Sequence, residues 1–185
     1  MKANEKNPRV AVLATDGFEQ SELLEPAFSL QEAGAVVEIV SPEGKAIRAW
    51  KDGDWAQNLK ADLSLADADP ASYDALLLPG GVLNSDDLRT SMAAREFVRH
   101  FFFEDKPVFA ICHGAQILID AEMVEDRIMT SYRAISADLI NAGARWKDAE
   151  VVEDGNLVTS RSPDDLPAFS AAICRALGLQ APQPV

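Results

Sequence analysis

Short apolar runs alternate along the chain with stretches whose apolar residues recur every three or four positions. Residues 9–15 read Arg-Val-Ala-Val-Leu-Ala-Thr, a nearly continuous apolar run of the kind that marks a strand buried on both faces. Leu23, Leu24, Ala27, Phe28 and Leu30 follow at helical spacing, with Pro26 inside the pattern and Gly34 closing it. The helix is therefore expected to kink at Pro26 or to begin there. Residues 36–41 (Val-Val-Glu-Ile-Val-Ser) read as a second strand, and residues 42–58, with Gly44 and Gly53, as a meander or short hairpin. A third buried strand, Asp74-Ala-Leu-Leu-Leu-Pro79, runs into Gly80-Gly81. One long amphipathic helix is expected next, with Ala94, Phe97, Val98 and Phe101 on its apolar face.

Val108-Phe-Ala-Ile-Cys112 repeats the buried-strand pattern, and residues 114–121 the helical one. Short strands are expected at 150–152 and 157–160. A last helix is expected from Ser162-Pro-Asp-Asp165, with Ser162 as N-cap, Pro163 in the first turn and Asp165 as the capping-box acid. Strands alternating with helices predict an α/β fold in which a parallel sheet is covered on both faces. No linker or internal repeat interrupts residues 1–185, so one domain is expected, with frayed tails at 1–8 and 181–185.

On such a sheet, ligands bind beyond the carboxyl ends of the strands. Three segments arrive there with polar or glycine-rich content: Asp16-Gly-Phe-Glu19, Pro79-Gly-Gly-Val82 and Cys112-His-Gly114. Cys112 stands where a strand becomes a helix, in a turn like the nucleophile elbow of serine hydrolases, with Gly114 permitting the close approach. Unpaired N–H groups and the helix dipole there favour a thiolate, so an exposed, acidic thiol is expected. His113 follows it directly. Glu19 follows the first strand and should reach the same crevice, where a carboxyl can orient the sulfur. Gly80 and Gly81, with the N–H of His113, could hold a developing oxyanion. His100 falls on a helix and is expected to face solvent; Cys174, beside Ile173, is expected in the core.

Composition narrows the classes. The net charge of −13 opposes binding to a phosphate backbone, and no polybasic face offers itself to anionic lipid. No apolar run approaches the roughly 20 residues of a membrane span, and the polar start of the chain has no signal-peptide h-region. Two cysteines cannot form a dense disulfide framework, which suits reduced thiols and a cytoplasmic location. Gly80-Gly81 lacks the spacing of a dinucleotide fingerprint, and neither a cofactor nor a metal is expected.

With these residues in view, the chain resembles the PfpI-like intracellular cysteine peptidases, in the superfamily that also holds the class I glutamine amidotransferase fold and the parkinsonism-associated deglycases. The resemblance spans roughly residues 9–177. It is carried by Asp16-Gly-Phe-Glu-Gln-Ser-Glu-Leu23, Leu77-Leu-Pro-Gly-Gly81, Ala110-Ile-Cys-His-Gly-Ala-Gln-Ile-Leu118, Thr130-Ser-Tyr132, Asn141-Ala-Gly-Ala-Arg-Trp146 and Val152-Glu-Asp-Gly-Asn-Leu-Val-Thr-Ser-Arg161. It implies a flavodoxin-like three-layer α/β/α sandwich with a mostly parallel central sheet. It implies Cys112 as nucleophile, His113 as its partner, Glu19 as the acid next to the sulfur, and Gly81 with His113 as oxyanion donors. It further implies a homo-oligomer, a dimer or larger, in which a third triad acid comes from a neighbouring subunit; Asp86 is the candidate, or Asp87 if the alignment slips one place. Two positions depart from the family pattern: Ala115 replaces the proline of Cys-His-Gly-Pro, and Arg133 that of Thr-Ser-Tyr-Pro, placing a cation near the crevice. The leading expectation is a stress-related cysteine hydrolase of peptides or small acyl substrates. The alternatives are a glyoxalase or deglycase acting on methylglyoxal-type aldehydes, and a non-enzymatic redox sensor or chaperone using the same thiol.

Overall fold

The structure, a computed structural model, describes residues 7–181. The chain opens with β1 (Arg9–Leu13), β2 (Phe18–Glu19) and α1 (Gln20–Glu32). It continues through β3 (Val36–Ser41), β4 (Ile47–Lys51), β5 (Asp54–Leu59), β6 (Leu63–Ser64) and β7 (Ala75–Leu78) to α2 (Val82–Thr90) and α3 (Met92–Phe103). Then come β8 (Val108–Ile111), a 3₁₀ turn (Cys112–Ala115), α4 (Gln116–Asp120), β9 (Ile128–Met129) and α5 (Ser136–Asn141). Strands β10 (Arg145–Trp146), β11 (Val151–Asp154) and β12 (Leu157–Ser160), with α6 (Leu166–Ala176), complete it.

Seven strands form the central sheet in the order β11-β12-β8-β7-β1-β3-β6. Every pairing in it is parallel except β11 with β12. Period-two alternation splits each central strand between two cores. Ala11, Leu76, Leu78, Val108 and Ala110 pack with α3, α4 and α5 on one face. Val10, Val12, Leu77, Phe109 and Ile111 pack with α1 and α6 on the other. That double burial is why the strands read as continuous apolar runs, and the result is a three-layer α/β/α sandwich with a mostly parallel sheet.

Several expectations need correction. Helix α1 runs through Pro26 rather than starting there. The long helix after Gly81 is two helices, divided at Ser91, whose extended backbone breaks the first and whose Oγ accepts from the Ala94 N–H at 3.3 Å to cap the second. The C-terminal helix begins at Leu166 behind a 3₁₀ turn at Pro163–Asp165, and Ser162 makes no side-chain cap. Asp165 is not a capping acid: its buried carboxylate takes both Nε and Nη2 of Arg161, at 2.8 and 2.9 Å. His100 is half-buried with its ring edge on Phe101, and its Nε2 is buried without a hydrogen-bond partner, so it does not simply face solvent. The meander at 42–58 contains the antiparallel hairpin β4–β5, which pairs with β2 apart from the main sheet. Most of the expected tail residues lie outside the described range. Pro8 is held, its carbonyl accepting from the Val36 N–H at 2.8 Å, and Ala181 packs against the second core.

Candidate active site

Strand β8 delivers Cys112 to the carboxyl edge of the sheet at φ +60°, a left-handed conformation rare for a residue with a Cβ. This is the sharp strand-to-helix turn expected from the sequence. Its carbonyl is fixed by the Tyr132 N–H at 3.2 Å, and the backbone N–H groups of His113 and Gly81 face its thiol and favour the charged form. The thiol is only 7% exposed. Burial pushes it above its ordinary value, against the two N–H groups, so the expected exposed and acidic thiol is corrected on both counts. The helix after the turn has five residues, too short for much of a dipole.

The carboxyl against the sulfur belongs to Glu22, not Glu19. Glu19 is the N-cap of α1, with extended backbone, in register with Trp50 of β4. Its half-buried side chain lines the cleft mouth, held above the usual carboxylate range by burial and then by the Asp52 charge. One turn later Glu22 shares the buried face of α1 with Leu23, Pro26, Ala27 and Leu30 and is fully enclosed. Its Oε2 accepts from the Gly80 N–H at 2.9 Å, its carboxyl stands beside the Cys112 thiol, and its Oε1 is buried without a hydrogen-bond partner. Burial raises it to about 8, so Glu22 is protonated at neutral pH and can donate to sulfur. Two negative charges so close and so dry cannot coexist, so the pair titrates as a unit and carries at most one charge, once a proton leaves it. The N–H groups of His113 and Gly81 draw that charge to sulfur; the N–H of Gly80 draws it to the carboxylate.

His113 Nδ1 lies 3.4 Å from Sγ, and its ring stacks on Tyr132 with centroids 4.8 Å apart. Burial lowers its pKa, which keeps the imidazole neutral. Among the described residues no carboxylate bonds His113. Asp86 and Asp87 are exposed on α2, and neither hydrogen-bonds it within the chain. Arg133 is exposed and lines a neighbouring depression with Trp146 and Arg161 rather than the cysteine cleft. Ala115 is buried in the 3₁₀ turn, and Cys174 is fully buried in α6 as expected.

The cleft holds about 670 Å³ between Gly81, Val82, Leu83, Trp50, Tyr132 and the Glu19–Glu22–Cys112–His113 group. A slightly larger groove beside α1 contains none of these chemical groups. No set of three or more His, Cys, Asp or Glu side chains among the described residues is placed to hold a metal ion. No helix among them is long and apolar enough to cross a membrane.

Gly80 admits no side chain. A Cβ there would stand 2.8 Å from the Cys112 Cβ and 3.0 Å from the His113 nitrogen, besides striking Glu22. Gly80→Ala is expected to cost about 1–3 kcal/mol of stability by overpacking and to slow Cys112 alkylation. Chemical denaturation and alkylation kinetics check this; wild-type values for both would show that the site has slack the contacts deny.

A flavodoxin-like sandwich with a cysteine elbow, a buried acid and a neighbouring histidine defines a class of cysteine-centred α/β proteins. The chain belongs to the DJ-1/PfpI family, whose model matches residues 8–176. It is 45% identical to protein/nucleic acid deglycase 2 of Escherichia coli over 172 residues, 92% of this chain and 98% of that protein. It is 47% identical to YraA of Bacillus subtilis, provisionally named a cysteine protease, over 88% of this chain and 94% of that one. Among solved structures, Drosophila melanogaster DJ-1beta superposes with a TM-score of 0.86 at 27% identity, covering 93% of this chain and 91% of that one.

Proposed function

We propose that the protein is a cysteine enzyme that attacks small carbonyl compounds, of the glyoxalase or deglycase kind. The observation that carries this reading is the Glu22–Cys112 pair, complete within one chain, beside a histidine that no acid among the described residues orients. Addition of a thiol to an aldehyde needs a nucleophile and a proton for the new oxygen. The Sγ–C bond forms as the C=O π bond breaks. The thiol proton, relayed through Glu22, ends on the new hydroxyl, while the N–H groups of Gly81 and His113 stabilise the oxygen as charge develops. The name of the Escherichia coli relative supports this reading.

Peptide hydrolysis is the second reading, supported by the name of YraA and by the surface around Asp86. On α2, Val82 and Leu83 are 59% and 50% exposed at the cleft mouth, and Asp86 is exposed one turn on. A second copy docked there could bring its Asp86 to His113 and complete a nucleophile–base–acid set. A panel of methylglyoxal, glyoxal-modified amines, esters and peptides separates the two. Turnover of aldehydes unaffected by Asp86→Ala supports the first reading. Peptidase activity that is lost in Asp86→Ala, and partly restored by mixing Asp86→Ala with Cys112→Ser under subunit exchange, would replace it with the second.

A further inference from the structure

Asn84 lies outside every motif that marks the site, yet it is 1% exposed in the first turn of α2 and both polar atoms of its amide are hydrogen-bonded. Its Oδ1 accepts from the Thr15 N–H at 2.8 Å, just past the end of β1. Its Nδ2 donates to the carbonyls of Pro79 and Gly80, both at 3.1 Å. The amide can sit only one way round, because Thr15 N–H can only donate and the two carbonyls can only accept. Those carbonyls belong to successive peptide units, Pro79–Gly80 and Gly80–Gly81. The described residues contain no cis peptide, and in a planar trans unit the N–H points opposite to the C=O. Pinning the Pro79 oxygen therefore aims the Gly80 N–H, which bonds Glu22 Oε2 at 2.9 Å. Pinning the Gly80 oxygen aims the Gly81 N–H, which faces the Cys112 thiol and favours its charged form; the Glu19 N–H supports the same oxygen at 3.2 Å.

We propose that Asn84 is a positioning residue: through the Pro79–Gly80 and Gly80–Gly81 peptide units it fixes two N–H donors, one facing Glu22 and one facing Cys112, and so sets where the pair's negative charge rests once a proton leaves it. Two adjacent glycines would otherwise be the most freely rotating backbone in the site. One side chain, tied to the end of β1, removes that freedom and sets both donors relative to the sheet. The proposal rests on Cys112 being the reacting group but not on the identity of the substrate.

The test is the pH dependence of iodoacetamide alkylation at Cys112, read by mass spectrometry and by thiolate absorbance, in wild type, Asn84→Asp and Asn84→Ala. Asn84→Asp keeps the shape and, once ionised, has no N–H to donate. The alkylation midpoint is expected to rise by about one unit, a tenfold loss of thiolate at fixed pH. On any carbonyl substrate kcat is expected to fall by about 10²-fold with KM little changed, since a misaimed donor acts in the transition state. Folded variants, judged by near-UV circular dichroism, that keep the wild-type midpoint would overturn the proposal. Should neither variant fold, the wild-type amide resonances of Gly80 and Gly81 decide: they are expected to shift with one shared midpoint, and independent or static behaviour overturns it. A wild type inactive on carbonyls, with the midpoint still displaced in the variants, would refute the proposed reaction and leave the role of Asn84 standing.

Discussion

Cys112→Ser is expected to fold normally and to lose turnover by about 10³-fold or more. A serine hydroxyl fits the same elbow and faces the same Gly81 and His113 N–H groups, so near-UV circular dichroism and melting should stay close to wild type. What it cannot do is ionise. Its neighbours are a buried acid, protonated at neutral pH, and a neutral imidazole that no acid among the described residues orients. That set can share the proton of a thiol but is a poor base for an alcohol. The strained backbone at φ +60° is retained in either case, so the comparison isolates the reacting atom. A Cys112→Ser protein that keeps a tenth or more of wild-type turnover would remove the cysteine from the chemistry altogether. Cys174→Ser makes the internal control, since that thiol is fully buried in α6, outside the cleft.

The sheet was legible because burial on both faces leaves no polar register in a strand. Residues 9–13, 75–78 and 108–111 had to be central, and they are the core of the parallel sheet. The elbow was legible for a related reason: a polar Cys-His-Gly sequence directly after a buried strand has few conformations open to it. Helix boundaries were less legible. Ser91 caps one helix as it ends another, a local competition that apolar periodicity passes over. The acid was misplaced by three residues for the same reason. Glu19 and Glu22 lie in one quoted motif, and the choice between them depends on where α1 begins. Since the helix starts at Gln20, Glu22 falls on the stripe with Leu23, Pro26 and Ala27, while Glu19 remains extended at the cleft mouth. A charged residue on an otherwise apolar helical stripe was the available signal. Asn84 gave none, because its work is done through the backbone of other residues.

Glu22→Gln is expected to separate catalysis from stability. An amide in place of the acid can still accept from the Gly80 N–H and donate to sulfur, so the packing survives. It cannot pass a proton from thiol to substrate oxygen, and turnover is expected to fall by about 10²-fold or more. Stability should move the other way with pH. Glu22 is raised from 4.5 to about 8 in the folded protein, so between those values the native state holds a proton that the unfolded chain has released. Stability from this group is therefore full below pH 4.5 and is lost as pH rises toward 8, by an amount on the order of a few kcal/mol. The Gln variant has no such proton to lose. Its unfolding free energy should vary less across that window and overtake wild type at the alkaline end. Glu19→Gln, at the half-buried mouth, should change turnover by only about threefold and shift the stability curve little, on the modest scale of partly exposed charges. Urea titrations at pH 5 and pH 8 check both variants. Parallel pH curves for wild type and Glu22→Gln would mean that Glu22 is ionised in the folded protein and has no proton to pass.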